Sequence, residues 1–204
     1  MDRRRALKNL GTGIGAFTLS TSMINLLQSC QNQTNLNLLT FSSKQFSFIS
    51  KLMDLIIPST DLPGATDLKL NIFIDSYISE VWYSQNKNIF IKGLDKCLLE
   101  VKNHEEKNLI TLLDKYLKID KKISDNYDDM ISDYEDKVKL GQNPSFDQNI
   151  FQYVFIKKLR DLSVMSFKIN EYIAENVLAY NPIPGNYKGC VDLENTTGGK
   201  AWSL

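Results

Sequence analysis

From Thr40 onward, apolar side chains recur every three or four positions, the spacing that builds one helical face after another. Phe46, Ile49, Met53 and Ile56 predict a first helix, with Ser42 or Ser43 placed to cap its start. Pro58 should end it, because proline disfavours the α conformation in the residue before it. The stretch Ser59 to Asp67 is dense in turn formers and predicts an ordered loop. After Asn71 comes a helix with a wide apolar face, including Phe73, Tyr77, Ile78, Val81 and Trp82, and so buried on several sides.

Further helices are read over 88–101, 105–118 and 123–140, the last the most solvated, before Gly141-Gln142-Asn143-Pro144 breaks the chain. A long apolar series then runs from Phe146 to Ala179 and predicts the central core helix. The tail, 180–204, mixes prolines and glycines with aromatics and should run extended over a surface. Strand-type alternation is absent from any long segment, so the expectation is an all-α, single helical bundle with an extended C-terminal tail.

The first thirty residues follow a different pattern. Arg3, Arg4, Arg5 and Lys8 precede an uncharged stretch from Asn9 to Ser29, the layout of an export signal. Its apolar part is interrupted by Thr18, Ser20, Thr21, Ser22 and Asn25 and falls short of the roughly 20 apolar residues of a membrane span. The run Arg3-Arg4-Arg5-Ala6-Leu7-Lys8 resembles a twin-arginine signal, although Ala6 stands where phenylalanine is usual. Leu26-Leu27-Gln28-Ser29-Cys30 is similar to a bacterial lipobox, with Gln28 as a departure, and makes Cys30 the candidate lipidation site. The organisation expected is therefore a signal over 1–29, a polar tether over 30–40 and a helical domain over 41–204.

Without the leader about 174 residues remain, enough for one domain with a real core. The 24 basic and 24 acidic residues of the whole chain become mildly acidic once the arginine-rich start is removed, and no nucleic-acid patch emerges. Cys97 and Cys190 are candidates for a disulfide in an oxidising compartment, with two unpaired thiols as the alternative.

Little in the chain points to autonomous catalysis. The single histidine, His104, sits in a polar stretch; no Cys-x-x-Cys or His-x-x-x-His pair exists to hold a metal. Gly11-x-Gly13-x-Gly15 follows no strand and is not a dinucleotide loop. Asp61, Asp67 and Asp75 read as caps bonding nearby amides rather than as a catalytic cluster. Trp82 reads as core, Tyr187 and Trp202 as anchors in a partner interface.

Two blocks carry a family resemblance. Leu55-Ile56-Ile57-Pro58-Ser59-Thr60-Asp61-Leu62-Pro63-Gly64-Ala65, followed by Phe73-Ile74-Asp75, resembles the signature of the gluconate 2-dehydrogenase subunit 3 family. Tyr180-Asn181-Pro182-Ile183-Pro184-Gly185-Asn186-Tyr187-Lys188-Gly189-Cys190-Val191, then Lys200-Ala201-Trp202, is similar to its C-terminal block. The resemblance implies a non-catalytic small subunit serving a large FAD-dependent dehydrogenase of the glucose-methanol-choline class, often with a cytochrome c subunit carrying haem c. It also implies that the flavoprotein folds around FAD in the cytoplasm and leaves on this chain's leader, so that Arg3 and Arg4 would export both proteins. The expected place is the periplasm, tethered to a membrane through Cys30. On this reading Pro58, Asp61, Pro63, Gly64, Tyr180, Pro182, Pro184, Gly185, Tyr187 and Trp202 face the partner. The competing reading is a free-standing helical lipoprotein that binds a small ligand.

Overall fold

The structure is a computed structural model that describes residues 37–101, 103–142, 144, 148–181, 183, 185–186 and 189–203. Residues Leu38–Leu204 form one compact unit. Arg3, Arg4 and Cys30 lie outside the described residues, as do Pro182, Pro184 and Tyr187.

The architecture is all-α. Helices α1 (Ser43–Ile56), α2 (Leu70–Val81), α3 (Ser84–Glu100), α4 (Glu106–Leu117), α5 (Lys121–Lys139) and α6 (Gln148–Lys168) follow one another, then a π-helical turn (Ile173–Val177) and the short α7 (Leu193–Thr197). Ser42 caps α1 by a capping box: its hydroxyl accepts from the Gln45 amide while the Gln45 side chain accepts from the Ser42 amide. The helix stops at Ile57, just before Pro58, as that proline dictates.

Helix α6 is the central element. Tyr153, Phe155, Ile156 and Leu159 are buried, together with Gln152, Ser163 and Ser166, while Lys158, Asp161 and Val164 leave one strip in solvent. So many buried positions require neighbours on most sides of the helix, and α1 to α5 supply them. Phe90 of α3 lies at the middle of the core, with Phe155 at 4.9 Å, Trp82 edge-on at 5.4 Å and Phe41 at 6.2 Å between ring centroids. Such edge-to-face packing adds about 0.5–1.5 kcal/mol per pair beyond the area buried. Trp82 thus belongs to the core side, as its place in a dense apolar helix suggests.

Helix α5 is the outlier, because among its described residues only Tyr134 is buried. Tyr134 joins Ile89, Ile150 and Val154 in a small second cluster. On the other side Lys157 of α6 grips Asp128 of α5 at 2.6 and 2.8 Å, and the Tyr153 hydroxyl pairs with Ser124 at 2.7 Å.

Two expectations need correction. The apolar series from Phe146 to Ala179 is not one helix: α6 ends at Lys168, and the Asn170 side chain accepts from the Tyr172 amide to start a new turn. The tail is not extended throughout, because Asp192 caps the five-residue α7 and Gly198, at φ 62°, closes it in a left-handed conformation. The chain then returns to the body. Ala179 donates to the Ala201 carbonyl at 2.8 Å and accepts from the Ser203 amide at 2.9 Å, forming a parallel bridge between Ala179 and Trp202.

Candidate functional site

The loop after α1 is built from the inside by side chains that accept backbone hydrogen bonds. Asp54 of α1 accepts from the Thr66 amide at 3.0 Å and its hydroxyl at 2.8 Å, while Asp67 accepts from the Gly64 amide at 2.9 Å. The Ala65 amide reaches back to the Ile57 carbonyl at 3.0 Å, so the loop closes on the end of α1. At Gly64 a Cβ would sit 2.7 Å from the Ser59 nitrogen, which is closer than real Cβ contacts come. Glycine is required there by close approach. Of the loop residues expected to face a partner, Gly64 is buried, Pro63 half-buried, and Pro58 and Asp61 exposed.

Asp75 of α2 has the opposite role to a surface cap. It is buried, and its carboxylate accepts from three successive amides: Leu39 at 2.7 Å, Thr40 at 3.1 Å and Phe41 at 2.9 Å. The Thr40 hydroxyl adds a bond of 2.8 Å to the Asp75 carbonyl. A charge taken out of water needs such a nest of donors to offset its lost hydration. The clasp fixes the segment that enters α1, including Leu39 and Thr40 at the end of the expected tether.

Pro58 lines a shallow groove of about 400 Å³ with Lys51, Asp54, Leu55, His104 and Leu109. The His104 ring packs 5.0 Å from Phe48. Burial, helped by the positive charges of Lys51 and Lys44, holds its imidazole below the usual value of 6.5.

Cys97 is buried in the core and Cys190 is exposed, and both are free thiols. Burial, with the nearby Glu100 charge, pushes the Cys97 thiol far up, so it stays protonated. Glu100 itself is half in solvent. Burial pushes its carboxyl upward, but hydrogen bonds from Lys115 and Gln152 outweigh this and hold it below its ordinary range. Gln152 is almost fully buried and is satisfied by Tyr116 at 2.9 Å and by Glu100.

The C-terminal lobe, the chain after α6, also carries exposed aromatic side chains. Tyr180 and Trp202 are about half exposed at the two ends of the Ala179–Trp202 bridge, and Gly185 stands exposed with φ 67°. Among the described residues no group of three His, Cys, Asp or Glu side chains is placed to hold a metal ion. No described helix is long and apolar enough to cross a membrane.

Sequence reasoning missed Gly93, which governs the main helix contact. A Cβ there would lie 2.1 Å from the Phe151 carbonyl oxygen and 2.7 Å from the Phe155 Cβ. It also underrated Asp75, whose partners lie more than 30 residues away.

These features define a helical scaffold that displays a stiff loop and an aromatic lobe. Over residues 43–185 the chain matches the family model for gluconate 2-dehydrogenase subunit 3, and it belongs to that family. The family's name is that of one subunit in a multi-subunit dehydrogenase. No curated protein and no solved structure matches the chain.

Proposed function

We propose that this chain is a non-catalytic small subunit of a FAD-dependent sugar or polyol dehydrogenase of the glucose-methanol-choline type. Its contribution is export, assembly and membrane tethering of the flavoprotein. The observation that carries this reading is the family match across 43–185, which takes in the α1–α2 loop and most of the helical body. FAD resides in the large partner, with haem c in a cytochrome partner where one is present, and the partner's flavin takes electrons from the substrate.

In this reading the leader, with Arg3 and Arg4, carries the folded pair across the membrane. Cys30, acylated, then holds the complex at the membrane on its periplasmic side. The helical body and the C-terminal lobe grip the flavoprotein.

The test is to produce the large subunit with and without this chain and to follow FAD-dependent sugar oxidation outside the cytoplasm. The expected result is that the flavoprotein stays inside when this chain is absent, and that Arg3→Lys with Arg4→Lys strands both. Full export and activity of the flavoprotein alone would overturn the reading.

A further inference from the structure

A cleft opens where the end of α2 meets α3, α5 and α6. Buried Ile89 and Val154 give it an apolar floor, and half-buried Trp82 lines one side. Phe90, edge-on to the indole at 5.4 Å, backs that ring from the core and holds its orientation. Three polar side chains complete the lining: Asn86 from the first turn of α3, Glu135 from α5 and Lys158 from α6.

These three groups are unengaged. Asn86, Glu135 and Lys158 form no side-chain hydrogen bond or ion pair with any of the described residues. In two other clefts Lys157, Arg160 and Lys115 are already matched, by Asp128, Asp161 and Glu100. Around Trp82 the hydrogen-bonding capacity is kept for something else: Glu135 accepts, Lys158 donates and Asn86 does both.

The cleft restricts what it can hold. Its volume of about 150 Å³ falls below the roughly 300 Å³ at which pockets for drug-sized molecules begin, so the occupant is no larger than a single ring. One carboxylate and one ammonium cancel, which favours a neutral molecule over an anion or a cation, since either ion would face a like charge. The polar groups come from separate helices, with Glu135 and Lys158 outside ion-pair reach of each other, and this suits a molecule that carries hydroxyls on several sides. A sugar ring does so, and its C–H face is apolar enough to lie on an indole. An amino acid instead has both charges on one carbon.

We propose that this cleft binds a neutral monosaccharide, with Trp82 under the ring, Glu135 accepting from its hydroxyls, and Lys158 and Asn86 donating to them. The accessory-subunit reading neither requires this site nor supplies its ligand. Helix α5 is lightly attached here, its Glu135 carbonyl accepting from the Gln85 side chain at 3.5 Å, so a bound sugar ties it to the α3–α6 pair.

The experiment follows tryptophan fluorescence in the full chain carrying Trp202→Phe, which leaves Trp82 as the one remaining tryptophan of two. D-glucose, D-galactose and D-mannose are titrated separately, with sodium gluconate and free phenylalanine as charged controls. Glu135→Ala and Lys158→Ala remove polar partners, and Lys115→Ala alters a different cleft. Circular dichroism establishes that each variant keeps its helices, and Lys158→Ala, at an exposed position, carries the test should Glu135→Ala unfold.

At least one hexose should give a saturable change with a dissociation constant of about 1 mM or lower. Affinity should fall at least fivefold in one or both cleft variants, and Lys115→Ala should match the parent. Saturating sugar should also slow amide exchange in α5 around Glu135. The inference is overturned if no hexose saturates, if only gluconate or phenylalanine binds, or if both cleft variants lose less than fivefold. Equal weakening by Lys115→Ala, or exchange in α5 that the sugar leaves unchanged, places the sugar elsewhere and overturns it as well.

Discussion

Gly93 of α3 lies directly against the Phe151 carbonyl of α6, with no space for even one methyl group between them. Two helices cross at this distance only where one of them has no side chain. A glycine inside a helix costs about 1 kcal/mol in local propensity, and here close packing of the two largest faces of the core offsets it.

Gly93→Ala is therefore expected to destabilise the fold, although alanine is the better helix former. Pushing α3 and α6 apart should cost about 1–3 kcal/mol, the usual cost of overpacking a core. Thermal denaturation should show a drop of several degrees. An unchanged or raised midpoint would mean that the two helices are not in this contact.

Asp75→Ala leaves three amides at 39–41 without their acceptor, and the expected loss is about 2–4 kcal/mol in urea denaturation. Hydrogen exchange separates this from a general core defect. The amides of Leu39, Thr40 and Phe41 should lose protection far more than those of α6. Equal loss everywhere would show that Asp75 does not clasp this segment.

The two thiols should differ sharply in reactivity. Cys97 is buried and its proton is held by desolvation, so a thiol reagent at neutral pH should label Cys190 quickly and Cys97 only after unfolding. Rapid labelling of Cys97 in the native protein would contradict its place in the core.

His104 gives a pH dependence whose sign follows from its lowered pKa. The folded state binds the proton less readily than the unfolded chain, so His104 favours the fold while neutral. Stability should be constant from this group above about pH 6.5 and decline as pH falls below the unfolded value. His104 is partly in solvent, which keeps the effect small. His104→Gln should flatten the profile between pH 7 and 5, and a profile unchanged by this substitution would remove His104 as its source.

What the chain disclosed in advance was what local spacing controls. The Ser42 cap and the stop at Pro58 are written in adjacent residues, and the end of α1 follows them. The break after Lys168 was hidden because Ile169, Ile173 and Val177 continue the helical rhythm, while the turn is made by a single side chain, Asn170. Helix α7 did carry a signal, Asp192 before it and Gly198 after it, which the surrounding prolines and glycines obscured. Gly93 and Asp75 were illegible for a different reason: each is fixed by a backbone far along the sequence, which spacing does not encode. Of the expected partner-facing residues, Gly64 shows the same effect, since its need for glycine comes from the returning chain at Ser59.

The Ala179–Trp202 bridge closes residues 180–201 into a loop held at its neck by two backbone hydrogen bonds. Bringing the ends of a flexible loop of that length together costs about 2–3 kcal/mol in chain entropy. Two such bonds return about 1 kcal/mol each, so closure on its own is close to balanced. A ligand that favours the closed loop by only a few kcal/mol would shift it almost wholly to one state. The neck at Ala179–Trp202 is thus close to balanced by itself, while the clasp at Asp75 and the crossing at Gly93 are held by tight contacts within the helical body.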